Sequence, residues 1–467
     1  MPSTYLSKTG SGSGATTCTF SAWVKRSELQ VTSGSPQCIW GWQNVSNSDR
    51  IVFHFNNGGS EDFRVYIQNS AGTATEMILA TNRQFRDVNC WYHIVIEIDT
   101  TQATTSDRAK LYVNGVQETS FSTATYPTQN YVLKYMSSTG NTAVGNNGVY
   151  TYPYSGLLSH VHYIDGTAYD ASTFGQFNSD GVWTPKADVS VTYGTNGFFL
   201  KFENSGSMGL DSSGNTNNFT VNGTLTQTVD TPSNVFATFN PLWRARVNNV
   251  DLGTYMSNGN TTFNSQGNDA VLAYFASTLG VTSGKWYWEI KSQSGSGGGL
   301  GVCYESMQSN TFAQFWDNSA LLGCAIKLDG NAFNGKSGEN AGALGPTYSA
   351  GDIYGFALDM DNYALYAHIN GTYVNSGVPT SGASRTGSLL NLLTSGQAYL
   401  NSGEPVFPFF ADLNAGSHAE LKANFGNGFF GTTAVSSAGS NGNGAIFEYD
   451  VPTGYYALNT KNLATYG

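Results

Sequence analysis

The sequence predicts an all-β chain: two β-sandwich (jelly-roll) domains in tandem, followed by a short C-terminal extension. Three observations lead there. Aromatic residues make up 13 % of the 467 residues and are spread along the whole chain. Such side chains fit pleated, half-buried strands. Fifty-five glycines, with abundant Asn, Ser and Thr, supply turn chemistry between many short strands. Apolar and polar residues alternate with period two in runs of five to nine residues, which is the pattern of strands with one face on a core. The length exceeds what one hydrophobic core usually serves, so two domains are expected.

The first half supplies its strands in order. Thr19-Phe20-Ser21-Ala22-Trp23-Val24-Lys25 is one. Ile51-Val52-Phe53-His54-Phe55 and Phe63-Arg64-Val65-Tyr66-Ile67 flank a turn-rich Asn56-Asn57-Gly58-Gly59. Trp91 to Asp99 is the longest run, and Ala109 to Gln117 folds back on itself at Asn114-Gly115, a strong hairpin signal. Gly156 to Asp165 is a further strand ending in a turn, and Asn196 to Glu203 another. In the second half the runs are Gly284 to Ile290, Gly351 to Asp361, Leu365 to Gly371, Val406 to Phe410 and Ala423 to Gly426. Asp230-Thr231-Pro232 and Asn240-Pro241 are loop signals between the halves.

Combined, these pieces resemble known families. TFSAWVK, WYHIVIEID, AKLYVNGVQ and GLLSHVHYIDGTAYD, in that order, resemble a concanavalin A-like, laminin-G-like jelly roll over about residues 15–185. The segment from Phe198 through Asp211-Ser212-Ser213-Gly214-Asn215 resembles the strand that usually opens such domains, so a circularly permuted domain is expected, spanning 1–225 with 190–225 closing it. GKWYWEI, GDIYGFALD, LYAHINGT, PVFPFF and ANFG resemble a SPRY domain over 246–430, after a connector at 226–245. The extension 431–467, with PTGYYALNTKNL, resembles the ending of tailed-bacteriophage structural proteins of this layout. The resemblance implies a non-enzymatic virion surface protein of a tail-fibre tip, other tail appendage or capsid exterior. Its implied partners are other virion proteins and a host cell-surface glycan or receptor, and it implies a homo-oligomer such as a trimer.

Charge narrows the function classes. The net charge is −11 and charged residues are 11 % of the chain, against about 25 % in ordinary domains. An acidic chain without basic clusters is repelled by phosphate backbones, which argues against nucleic-acid binding. No apolar run reaches about 18 residues, so no membrane insertion by a helix is expected. Met1 to Lys8 has no apolar signal-peptide core, so synthesis in the host cytoplasm and release by another route such as lysis are expected. The five cysteines, Cys18, Cys38, Cys90, Cys303 and Cys324, form no metal-ligand spacing; they read as buried thiols, with Cys18–Cys38 the one pair to test.

Catalysis finds little support. Jelly-roll glucanases carry Glu-x-Asp-x-x-Glu; here Glu97-Ile98-Asp99 is followed by Gln102 where the acid/base carboxyl belongs. His160 and His162 could share a strand face, but two imidazoles without a third ligand make an incomplete zinc site. No cofactor is expected unless Asp211, Asn215 and Asn217 hold calcium with their oxygens; an Asx-turn explains the same residues without a metal. Binding is easier to support. Tyr126, Tyr131, Tyr150, Tyr152 and Tyr154 lie in aromatic loop clusters of the first domain, and Phe312, Phe315 and Trp316 in one of the second. These could stack on sugar rings, or plug sandwich ends and subunit interfaces. A host-attachment protein and a capsid-decoration or tail-joining protein both remain open.

Overall fold

The computed structural model describes residues 4–10, 12, 14–29, 36–44, 49–56, 59–69, 75–135, 140–243, 255–265, 273–294, 298–305, 323–327, 331–334, 340–343, 349–392, 400–412 and 419–467. The fold is all-β, in two compact units. Unit 1 comprises Met1–Gln227 with Thr231–Ser233, and unit 2 Thr228–Asp230 with Asn234–Gly467. No helix among the described residues is long and apolar enough to cross a membrane.

Unit 1 is a sandwich of two antiparallel sheets. The larger runs in the order Phe121–Thr125, Thr75–Gln84, Asp62–Gln68, Arg50–Phe55, Gln37–Asn44, Gly140–Val144, Tyr5–Thr9 and Thr220–Asn222. The smaller runs Phe198–Leu200, Gly156–Asp165, Thr17–Arg26, Trp91–Asp99, Ala109–Val113 and Val116–Glu118. Residues 190–225 thus add an edge strand to each sheet: Phe198–Leu200 pairs with Val161–Tyr163, and Thr220–Asn222 with Tyr5–Ser7. Alternation sends Phe20, Ala22 and Val24 into the core against Trp40, Phe53 and Tyr163.

The opposite face of the Thr17–Arg26 strand is buried too, because residues 165–196 fold across it. Ala171 and Phe174 pack there on Val95 and Ile164, with Trp183 and Tyr193 at the margin. Thr19 stitches this strap down, donating to the Thr167 carbonyl and accepting from Tyr169 N–H. The hairpin glycine Gly115 has φ +80°, and a Cβ on it would come within 2.5 Å of the Trp183 ring. Only glycine satisfies both conditions.

Unit 2 repeats the architecture. One sheet runs Met256–Ser257, Thr262–Asn264, Glu420–Asn424, Lys285–Ser294, Ile353–Asp359, Ala364–Ile369 and Thr372–Tyr373. The other runs Ala273–Ala276, Val406–Asp412, Gly298–Tyr304, Gly323–Lys327, Asn331–Asn334 and Asn340–Ala343. Trp286, Trp288, Phe356, Phe409 and Phe410 belong to one continuous buried cluster of this unit.

Two segments differ from the sequence expectation. The presumed connector places Phe239 and Trp243 in the core of unit 2 and Phe236 in a smaller cluster beside it, because the apolar FATFNPLW run needs burial more than it needs reach. The C-terminal extension is no separate element. Tyr456–Ala457 pairs in parallel with Trp286–Tyr287, and Phe447, Val451 and Tyr455 pack with Tyr287 and Tyr366. The chain closes on a short helix, Thr460–Tyr466, capped by the Asn459 side chain.

Candidate functional site

The outer face of the larger sheet of unit 1 carries the most chemistry. Ile51, Phe53 and Phe55 point into the core, so Arg50, Val52 and His54 lie on the opposite face of the same strand. Register places Gln68 beside Arg50, Tyr66 beside Val52 and Arg64 beside His54, with Ile78 beyond Tyr66. These side chains are half-buried, apart from the buried Val52. The Arg50 guanidinium sits over the Tyr66 ring, 5.1 Å from its centroid. Arg64 pairs with Asp62 at 2.8 Å. Burial, with the Arg64 and Arg50 cations acting against the opposing Asp62, pushes the His54 imidazole down to about 4, so it is neutral at physiological pH.

A loop crosses the neighbouring part of this face. A Cβ on Gly148 would lie 2.4 Å from the Gln43 backbone nitrogen, so only glycine permits the approach. Asn146 Oδ1 accepts from Asn147 N and Tyr152 N, and Asn147 Oδ1 accepts from Thr151 N. These bonds set the turn that stacks Tyr150 on Tyr5, with centroids 4.5 Å apart.

The aromatic candidates separate on inspection. Tyr150 and Tyr152 are half-exposed. Tyr126, Tyr131 and Tyr154 pack against the core; Tyr154 also stacks on Phe55 and donates its hydroxyl to the Lys25 carbonyl. They plug the sandwich because its open ends need apolar cover. Phe312, Phe315 and Trp316 lie outside the described residues. Arg50, His54, Arg64 and Tyr66 escaped sequence reasoning, although period-two alternation already put Arg64 with Tyr66, and Val52 with His54, on one face.

The residues Asp211, Asn215 and Asn217 do not fit calcium. Asp211 Oδ1 accepts from Phe199 N and Ser213 N, and Oδ2 from Ser213 Oγ and Asn217 N. A carboxylate offers about four acceptor positions, and here all are taken by protein donors. Asn215 and Asn217 turn their amide N–H groups to the carbonyls of Gly194, Thr195 and Gly197. The loop is a hydrogen-bonded staple that holds Phe198–Leu200 on its sheet. Asp211→Ala is expected to cost about 3 kcal/mol by orphaning buried donors, read by thermal unfolding. Calcium is expected to leave the wild-type melting temperature unchanged.

Other groups with chemical potential are committed. Glu97 accepts from Tyr112 at 2.8 Å and pairs with Lys110 at 3.4 Å; Asp99 accepts from the Thr101 backbone and hydroxyl. A bulge between Ser159 and His162, with His160 at φ +48°, interrupts the strand, and both imidazoles lie against the Phe199 ring, with centroids 6.2 and 3.8 Å away. His162 is buried, stacked on Phe199 and bonded to the Tyr193 hydroxyl at 2.8 Å. Cys18 and Cys38 are unpaired thiols: Cys18 sits in the core, its thiol pushed up to about 12 by burial, while Cys38 donates to the Trp40 carbonyl. Among the described residues no group of three His, Cys, Asp or Glu side chains could hold a metal ion.

In unit 2 the conspicuous group is Glu289, fully buried and pushed up to about 7, chiefly by loss of solvent. Oε1 accepts from the Tyr287 hydroxyl and Tyr449 N, and Oε2 from Glu448 N and Asn424 Nδ2. His368 Nε2 lies 2.7 Å from the same Tyr287 hydroxyl, and its Nδ1 accepts from Gly371 N. Since Nδ1 accepts, the proton of the neutral ring is on Nε2 and points at Tyr287, whose own proton points at Glu289. The carboxylate is a clamp for the C-terminal segment.

Unit 1 is thus a two-sheet sandwich whose larger sheet has a half-polar outer face. Residues 3–172 match the family model of the concanavalin A-like lectin/glucanases superfamily, a fold that serves both sugar binding and sugar hydrolysis. No curated protein matches the chain in sequence. Among solved structures, the SPRY domain of human HERC1 is similar over 40 % of this chain and 96 % of its own, at 15 % identity and a TM-score of 0.27. A heptameric SAP-like pentraxin from Limulus polyphemus is similar over 36 % and 72 %, at 12 % identity and a TM-score of 0.27. Domain 4 of AbnA, a GH43 extracellular arabinanase from Geobacillus stearothermophilus, solved with arabinotriose, is similar over 34 % and 64 %, at 16 % identity and a TM-score of 0.23.

Proposed function

We propose that this chain is a non-catalytic binding protein on the exterior of a tailed-phage particle, attaching it to host-surface glycan through unit 1. The observation that carries the binding role is the outer face of the larger sheet, where Arg50, His54 and Tyr66 on one part and the Tyr5–Tyr150 stack on another are half-buried polar and aromatic side chains. The phage setting rests on the order of sequence motifs: laminin-G-like, SPRY-like, then the PTGYYALNTKNL ending. The tying of Glu97 to Tyr112 and Lys110 supports a role without hydrolysis. Tail-fibre tip or other appendage is the preferred location, and a homo-oligomer would multiply weak sugar contacts.

A capsid-decoration or tail-joining role is the second reading, favoured by one observation. Val116, Phe177 and Val182 are 59 %, 59 % and 55 % exposed on the two hairpins next to Trp183, apolar surface suited to a protein partner. A glycan array separates the two. The attachment reading expects retention of host polysaccharide, weakened several-fold by Tyr150→Ala with Tyr152→Ala. Silence across host polysaccharides, together with capture of the chain by purified particles, would leave the decoration reading.

A further inference from the structure

We propose that the outer face of the larger sheet of unit 1 selects an acidic saccharide, its carboxylate held by Arg50 and its ring lying along the Val52–Tyr66–Ile78 row. The inference deepens the glycan-binding reading and rests on it.

The argument starts from what Arg50 lacks. Among the described residues its guanidinium has no hydrogen-bond or ion-pair partner, and its Nε is buried without one. The acids nearby are committed elsewhere: Asp62 to Arg64, Asp49 to Lys134, and Glu76 to Asn69. In an acidic chain, a half-buried cation left without a carboxylate is an unmet demand for an anion. The Tyr66 ring beneath the guanidinium, 5.1 Å from it, restricts a flexible side chain and so prepays part of its ordering. A planar guanidinium matches a planar carboxylate with two parallel hydrogen bonds.

Two further groups suit a sugar. His54, kept neutral by burial first and by the Arg64 and Arg50 cations second, adds no competing charge beside the sugar. Gln68, next to Arg50 in the register, adds an amide of both polarities. Val52 and Ile78 on either side of Tyr66 give the apolar strip that a sugar ring covers. One open guanidinium suits one carboxylate per ring. A densely sulfated polymer would be repelled by the net charge of −11 without a matching set of cations.

The test uses the full chain, immobilised, with polygalacturonate, neutral dextran and dextran sulfate as probes at low and moderate salt. Polygalacturonate is expected to bind, salt-sensitively, and Arg50→Gln to weaken it about tenfold, the loss for one charge-assisted contact. If R50Q melts lower than the wild type, R50K becomes the test. It keeps the charge but not the planar fork, and must still bind several-fold more weakly. Equal binding by the variants overturns the inference, as does preference for dextran sulfate. Binding to dextran alone overturns it while leaving a glycan-binding protein. Silence on every polysaccharide removes both.

Discussion

Unit 1 is expected to unfold in mild acid before unit 2. His54, His93, His160 and His162 are all held below their ordinary range, chiefly by burial, His54 to about 4 and His93 to about 3. The geometry explains the resistance to protonation. His93 is stacked on Trp23, its Nε2 meets Ser21 Oγ, and its Nδ1 accepts from Trp183 Nε1–H at 3.0 Å. A proton on Nδ1 would set two donors face to face and lift the strap through Trp183. A base whose folded pKa is depressed contributes stability that is present above its unfolded value, near 6.5, and lost as pH falls below it. Each such histidine removes about 1.4 kcal/mol per pH unit once the unfolded chain is protonated, and four together about 5.5 kcal/mol per pH unit. A domain stable by about 5–15 kcal/mol cannot absorb that for long.

Unit 2 is buffered against the same change. His368, lowered to about 4 by burial, acts in the same direction. Glu289, raised to about 7, acts oppositely: its contribution is fully present below the usual carboxylate range and is lost as pH rises through about 7. Between about pH 4.5 and 6.5 the two slopes offset. Hydrogen exchange read by mass spectrometry across pH 4–8 should show amides of 91–99 and 156–165 losing protection first, while those of 285–294 and 353–359 persist.

Glu289→Gln is the substitution with the largest expected effect in unit 2. The amide can replace one oxygen, which goes on accepting from two donors. Its NH₂ then faces the other two donors, Glu448 N and Asn424 Nδ2. Two opposed buried donors cost roughly 3–5 kcal/mol. The loss is expected as a lower melting temperature and as proteolytic release of the segment around 439–451, which Glu289 anchors through Glu448 and Tyr449. Tyr287→Phe, which removes one hydroxyl between Glu289 and His368, is expected to cost less.

The fold class was legible because its signals are local. Alternation in Thr19–Lys25 and Trp91–Asp99 marks strands, seen as Thr17–Arg26 and Trp91–Asp99, and Asn114-Gly115 marks the turn between Ala109–Val113 and Val116–Glu118. What sequence could not give is register. Arg50 and Tyr66 are sixteen positions apart and meet only because Val52 pairs with Tyr66 and Arg50 with Gln68. The Glu289 clamp depends on a segment about 160 residues downstream, and two of its four donors are backbone amides, which leave no mark in residue type. The tyrosine loops misled for a related reason. An aromatic residue in a loop reads the same whether it faces solvent or plugs a sandwich, and Tyr154 does the latter.

The most direct test of the proposed phage role is to look for the chain by electron cryo-microscopy in purified tailed-phage particles. The account expects density for both units on the particle exterior, with the face around Arg50 and Tyr150 turned to solvent. Absence of the chain from the particles, or burial of that face against another virion protein, would contradict it.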